Sequence, residues 1–294
     1  MNTHRLIKIA ACQGVWTTDI DSNLKKMEEF IRGIKIDMGE SIKLISFTEF
    51  AVHGAGDVSR NLDDIAEPVP GPTTDKICKM ASSYKCWICN GSMLEKCNGA
   101  LYNTALLISP EGEIAMRYHK THPWCEPAGK ETTRPGSEFP VYDIPGIGKV
   151  GIMICSDGFF PEVARTLAFN GAELILWPTA AFHPLLEPSR AIALTRAIEN
   201  NCYVMAVMGA GVCGGLGFIG HSMIVNPDGV ILSEAGDGET ILIDTIDMSY
   251  VGIARTEGGK GLMPSFRFLK LFKHNYPPYV DINSGAVFDQ IDEE

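Results

Sequence analysis

Long apolar runs are missing from this sequence: none approaches the roughly 18–20 residues that a membrane-spanning helix needs. Basic residues are also in short supply. Lys and Arg number 25 against 36 Asp and Glu, giving a formal charge of −11 and a pI near 5.1. Nucleic acid and anionic membrane surfaces call for clustered Lys and Arg, so neither is an expected partner. The opening M-N-T-H-R-L-I-K-I-A-A-C lacks signal-peptide architecture, and its apolar part runs straight into a candidate core strand. Cysteine is not scarce, but a disulfide pattern is. The nine cysteines are an odd count, unevenly spread, and several sit in apolar strands, which suits reduced thiols and a cytoplasmic location. Cys86-Trp87-Ile88-Cys89 has redox or zinc-like spacing, yet no second C-x-x-C exists. Side chains three apart on a strand point to opposite faces, so a core strand is the better reading. No metal or cofactor is expected.

What is present describes an ordinary globular chain of 294 residues, 45% apolar and 21% charged. Leu6–Val15 reads as a buried strand. Asp19 to Ser22 then cap a helix carrying Leu24, Met27, Ile31 and Ile34 on one face. Lys43–Phe50 is a second strand, Cys86–Leu94 a third, and Tyr102–Ser109 with Ile114–His122 a hairpin around Pro110-Glu111-Gly112. Further strands are expected at Glu173–Thr179, Cys202–Met208 and Glu239–Asp247, with helices from Pro161 to Asn170 and from Ser189 to Asn200. The glycine-rich Gly209–Gly217 reads as a mobile loop. No composition shift marks a boundary, and strands alternate with helices throughout. The economical reading is one α/β domain over residues 1–294, with 255–294 as an extended C-terminal tail.

Chemistry is concentrated at strand ends. Gly148–Arg165, G-K-V-G-I-M-I-C-S-D-G-F-F-P-E-V-A-R, runs from a buried strand through Cys155 to a helix opened by Pro161-Glu162. A ligand binds at such an edge in open α/β sheets, and a nearby helix N-terminus favours a thiolate. Asp157 caps the helix on this reading. Glu49 ends K-L-I-S-F-T-E, and Lys120 follows M-R-Y-H. Singly, each is an ordinary solvated side chain; His119 and His122 beside Lys120 fix its loop.

Together, in this order, Glu49, Lys120 and Cys155 resemble the Glu-Lys-Cys triad of the nitrilase (carbon–nitrogen hydrolase) superfamily. Within it the sequence is most similar to the aliphatic amidase and formamidase branch. The residues that carry this are Y-N-T-A-L-L-I-S-P-E-G-E-I (102–114), Y-H-K-T-H-P-W-C (118–125), I-C-S-D-G-F-F-P-E-V-A-R (154–165), N-G-A-E-L-I (170–175), E-N-N-C-Y-V (199–204) and G-H-S (220–222). The resemblance implies a four-layer α-β-β-α sandwich, a homodimer or higher homo-oligomer built through the helices near Cys155, and hydrolysis of a non-peptide C–N bond. It also implies a second glutamate between the lysine and the cysteine. Pro135-Gly136 selects Glu131 for that place, whereas a count from Lys120 falls closer to Glu126, because this segment is about three residues longer than in the aliphatic amidases. Phe50 stands where a tyrosine commonly follows the first glutamate.

An amide needs a nucleophile, a proton carrier and charge stabilisation. On this reading Cys155 attacks and forms a thioester, while Glu49 carries the proton and later activates water. A carboxylate near its reference pKa of about 4.3 is too weak a base at neutral pH unless buried, so burial of Glu49 is expected. Lys120 and the amide of Ser156 face the oxyanion, and Glu131 orients Lys120 or the substrate nitrogen. Trp124, Cys125, Trp177 and Thr179 are the further candidates for contact with substrate. The expected substrate is a small primary amide. Rival readings are hydrolysis of N-carbamoyl amines or amino acids, with Arg134 or Arg190 holding a carboxylate, then a nitrilase proper, and lastly a catalytically silent scaffold.

Overall fold

The computed structural model describes residues 4–55, 61–124, 133–258 and 265–272. Cys125, Glu126 and Glu131 lie outside the described residues. The first strands in chain order are β1 (Leu6–Gln13), β2 (Ile42–Ser46), β3 (Trp87–Cys89), β4 (Met93–Cys97), β5 (Ala100–Ile108), β6 (Ile114–His119), β7 (Val141–Ile144) and β8 (Gly148–Ile152). Then come β9 (Leu174–Thr179), β10 (Tyr203–Met208), β11 (Ala210–Cys213), β12 (Leu216–Ile219), β13 (Met223–Val225), β14 (Ile231–Glu234) and β15 (Thr240–Asp247). The helices are α1 (Ile20–Met38), α2 (Leu62–Ile65), α3 (Pro72–Tyr84), α4 (Pro161–Phe169), α5 (Leu186–Asn200), α6 (Ser249–Thr256) and α7 (Ser265–Phe272).

Two large sheets result. One is seven-stranded, in the order β15-β1-β2-β3-β5-β4 with β6 on β5; the other is six-stranded, in the order β14-β13-β10-β9-β8-β7. The period of two along each strand explains how they stack. On β1, Ile9 and Ala11 belong to one buried cluster and Ala10 and Cys12 to another. On β10, Met205 and Val207 join the cluster of Ile9, whereas Val204 and Ala206 join a third. The shared cluster lies between the sheets. The second pairs the outer face of the first sheet with α1 and α3, and the third pairs the outer face of the other sheet with α4 and α5. Four layers follow, helix–sheet–sheet–helix. Strands buried on both faces read as continuous apolar runs, and full burial of each such side chain is worth about 1.5–3 kcal/mol.

Cys86 and Cys89 bear out the core-strand reading, since they fall in the outer and inner clusters respectively. The expected strand Cys86–Leu94 is two strands, because Asn90-Gly91-Ser92 breaks it. Gly91 has φ +79°, and a Cβ there would stand 1.8 Å from the Thr48 carbonyl oxygen. Only glycine lets these two backbones approach, and the contact buttresses the turn after β2. The expected mobile loop at Gly209–Gly217 is instead the β11–β12 hairpin, paired Ala210↔Ile219 to Cys213↔Leu216. Pairing across the hairpin overrides a local composition that favours turns. Of the expected extended tail, residues 259–264 and 273–294 lie outside the described residues, and the described part is helical: Arg255 lies in α6 with 0% exposure, and residues 265–272 form α7, with Phe266 buried beside the Arg255 guanidinium. Among the described residues, no helix is long and apolar enough to cross a membrane.

Candidate active site

Three turns leave the sheets at one edge. β2 ends at Ser46, three residues before Glu49, β6 delivers Lys120 as the next residue, and β8 leads through Met153 and Ile154 into the helical turn Cys155–Phe159. The alternation that places Met116 and Tyr118 between the sheets also directs Lys120 inward. Likewise Ala105 and Leu107 face inward on β5, and so does Asn103.

The structure brings Glu49, Lys120 and Cys155 together. Glu49 and Lys120 are each 3% exposed, and Lys120 Nζ donates to Glu49 Oε1 at 2.8 Å. Asn103 Nδ2 donates to the same oxygen at 2.9 Å, and the Ala180 amide donates to Oε2 at 2.9 Å. The Cys155 thiol is within hydrogen-bonding reach of both Glu49 and Thr179. Burial pulls the Lys120 pKa down, but the adjoining Glu49 carboxylate and the Cys155 sulfur outweigh it and hold the ammonium above its ordinary value. Burial, and then the Glu49 charge, push the Cys155 thiol up to about 12 against the pull of Lys120. The sulfur therefore rests as a thiol rather than the helix-stabilised thiolate expected from its position. Desolvation and a facing carboxylate exceed what one turn of helix supplies.

Cys155 has φ +44°, in the left-handed region that non-glycine residues seldom occupy. Such strain persists only where surroundings impose it. Here the Trp177 indole N–H donates to the Cys155 carbonyl at 2.9 Å, and a Cβ on Gly158 would meet that indole at 2.4 Å. This corrects the expected role of Trp177. It shares the helix-covered outer face with Ile175, is 1% exposed, and backs the cysteine turn instead of facing a bound molecule. The Ser156 hydroxyl donates to the His122 carbonyl.

Asp157 does more than cap a helix. Fully buried, it accepts from the Ile154 amide (2.8 Å) and the Tyr118 hydroxyl (2.7 Å) on Oδ2. On Oδ1 it accepts from the His122 amide (2.8 Å) and the Thr121 hydroxyl (3.0 Å), with His122 Nδ1 at 3.3 Å. Burial raises its pKa, yet the His122 bond, the Lys120 charge and the Ile154 and Tyr118 bonds together hold the carboxyl below the usual range. His119 turns the other way, bonded to Glu95 at 3.0 Å and stacked on Tyr102 at 4.2 Å. His122 thus fixes the lysine loop, as expected, whereas His119 ties the end of β6 to β4 and β5.

Beside Glu49 lies a narrow cleft, walled by Trp16, Ala55, Ala180, Ala210, Cys213 and Phe218. Sequence reasoning missed every one of these walls, as it missed Asn103; they come from four separate segments that only the fold gathers. Trp124, 46% exposed, touches this wall indirectly, edge-on to Phe182 at 5.8 Å, and Phe182 bridges to Phe218. Neither of the two arginines considered for a substrate carboxylate lines the cleft beside Glu49. Arg190 is paired with Glu234 and Glu187, and Arg134 is exposed.

The chain belongs to the carbon–nitrogen hydrolase family, whose model matches residues 8–256. Among curated relatives it is 31% identical over 220 residues to a formamidase of Bacillus cereus (strain Q1), covering 73% of this chain and 64% of that protein. The chain thus spans less than two thirds of the curated formamidases it matches. Among solved structures it is similar to Nit3 of Saccharomyces cerevisiae, a member of branch 10 of the nitrilase superfamily. That match has a TM-score of 0.78 and 26% identity, and covers 87% of this chain and 95% of Nit3. It shares its fold with the amidase of Nesterenkonia sp. AN1 at a TM-score of 0.73 and 22% identity, over 83% of this chain and 92% of that one. A glutamate-to-glutamine mutant of that amidase carries the acetamide moiety of fluoroacetamide, covalently added at its active-site cysteine.

Proposed function

We propose that this protein hydrolyses short primary amides to a carboxylic acid and ammonia through a thioester on Cys155. The observation that carries the reading is the buried Glu49–Lys120 pair at 2.8 Å with the Cys155 thiol in reach of the same carboxylate. A thiol with a pKa near 12 is protonated at neutral pH, so its attack on the carbonyl carbon has to be coupled to proton removal. Glu49 is the base at hand. As the C–S bond forms, the carbonyl electrons collect on oxygen, where the Lys120 ammonium and the Ser156 amide supply positive charge. Collapse of the tetrahedral adduct expels ammonia, which takes the proton held by Glu49. Water, deprotonated by the same carboxylate, then attacks the thioester and frees the acid and the thiol. Asn103 and the Ala180 amide hold the carboxylate in place through this cycle. Glu131 remains the proposed second glutamate.

The cleft supports a small, uncharged acyl group. Among the described residues, its walls are apolar apart from Glu49 and include no basic side chain to receive the carboxylate of a carbamoyl amino acid. The curated relatives are named formamidases, and the Nesterenkonia amidase mutant carries the acetamide moiety of fluoroacetamide, both small amides.

The test is ammonia release from formamide, acetamide, propionamide and benzamide, with N-carbamoyl amino acids and nitriles alongside. Turnover is expected with the short aliphatic amides, with benzamide excluded. Cys155→Ala should abolish it and leave the thermal melt in place. Near wild-type hydrolysis by that variant, or a preference for carbamoyl amino acids, would overturn the reading.

A further inference from the structure

Asp157 is the most heavily hydrogen-bonded side chain at this edge, yet the reaction sketched above does not use it. Its partners divide into two sets. Ile154 immediately precedes Cys155, whereas Tyr118, Thr121 and His122 bracket Lys120. Ile154 follows β8 of the six-stranded sheet, whereas Tyr118 is in β6 of the seven-stranded sheet and Thr121 and His122 follow it. One buried carboxylate therefore spans the gap between the turn that carries the sulfur and the turn that carries the ammonium.

We propose that Asp157 is a positioning residue. It sets the placement of Cys155 relative to Lys120 by accepting backbone N–H groups from both turns at once, and its charge joins that of Glu49 around the lysine. The proposal rests on the reading of Cys155 and Lys120 as reacting groups. No neutral isostere reproduces the arrangement. Each carboxylate oxygen faces a backbone donor at 2.8 Å, His122 N on one side and Ile154 N on the other. An asparagine in this place has a single acceptor oxygen. Whichever way its amide turns, its NH2 group meets one of the two backbone N–H groups, and a buried donor loses its acceptor. Tyr118 and Thr121 can rotate their hydroxyls to adapt, but the backbone amides cannot. Asp157→Asn must therefore release either the cysteine turn or the lysine turn.

The full-length protein, wild type and Asp157→Asn, is assayed in two ways. One is steady-state hydrolysis of propionamide, and the other is the rate and selectivity with which iodoacetamide alkylates Cys155, followed by peptide mass. The folded fraction is checked by tryptophan fluorescence. Displacement of a reacting group by about 1 Å costs on the order of 10²-fold. The expected result is a kcat lower by about that factor with KM changed less than threefold, and Cys155 no longer alkylated ahead of the other thiols. A folded Asp157→Asn with kcat within threefold of wild type and Cys155 labelling unchanged would overturn the proposal. If Asp157→Asn fails to fold, the double variant Tyr118→Phe with Thr121→Val removes the hydroxyl donors and spares both backbone bonds. It is expected to keep kcat and Cys155 labelling within threefold of wild type, and a tenfold or larger loss would overturn the proposal, because the hydroxyls and not the backbone bonds would then hold the two turns. A wild type that hydrolyses no amide would sink the proposed function alone. The alkylation arm still decides the role of Asp157.

Discussion

The turn after β2 and the turn after β8 each bury a carboxylate whose charge acts on Lys120, and the two are built to opposite ends. Glu49 accepts bonds from Lys120, Asn103 and the Ala180 amide and still reaches the Cys155 thiol. Asp157 has both oxygens occupied by donors on its own and the lysine turn. A carboxylate whose partners leave room for one exchangeable proton can move it. One that is saturated can only hold the backbone around it. Burial alone does not distinguish them, because both are at most 3% exposed.

Four measurements break or sharpen this contrast. The largest effect is expected from Glu49→Gln, which keeps the shape of the side chain but removes its proton affinity. Ammonia release should fall by about 10²–10⁴-fold, the usual range for a positioned acid–base group, and a loss smaller than that of Asp157→Asn would reverse the assignment. Next, Lys120→Met leaves the buried Glu49 carboxylate without its paired cation. Loss of the oxyanion donor predicts about 10²–10³-fold in kcat, and retention of near-normal kcat would show that the lysine serves packing alone. A smaller effect is expected at Gly91→Ala, which sets a methyl against the Thr48 carbonyl at positive φ. The strain should lower stability by about 1–3 kcal/mol and, by shifting the Glu49 turn, reduce kcat roughly tenfold, with thermal melts and kinetics read together. The least is expected from acid. Because the folded state holds the Asp157 carboxyl below its unfolded value of about 3.9, its contribution is complete above that pH and is lost as pH falls through the folded value. The wild-type melting temperature should thus drop more between pH 5 and pH 3 than that of Asp157→Asn, and parallel drops would refute this.

How much of this was legible beforehand depends on the length scale of the signal. Cys155, Glu49 and Lys120 stand at strand ends, where a local pattern marks an exit from the core, and the family resemblance supplied their joint meaning. Asn103 had no such mark, because a polar residue within a strand looks alike whether it faces solvent or a buried carboxylate. Asp157 was read as a cap because its nearest bond, to Ile154, is local, whereas the bonds that define it reach 35 to 39 residues along the chain. Trp177 was misjudged by one step of the alternation, which sends it to the helix-covered side. The glycine-rich hairpin and the helical segment at 265–272 failed differently, since their local composition disfavoured the structure that tertiary contacts impose. Glu131 and Cys125 fall outside the described residues, so the choice between Glu131 and Glu126 rests on sequence.

The β11–β12 ribbon carries a consequence of its own. Its two strands pair with each other and with neither large sheet, yet Ala210, Cys213 and Phe218 on it wall the cleft. Part of the cleft wall is thus set by a ribbon outside both large sheets, while Glu49, Lys120 and Cys155 stand on turns that leave the sandwich. Ribbon grafts from one relative to another should therefore retune acyl preference without disturbing the chemistry beneath.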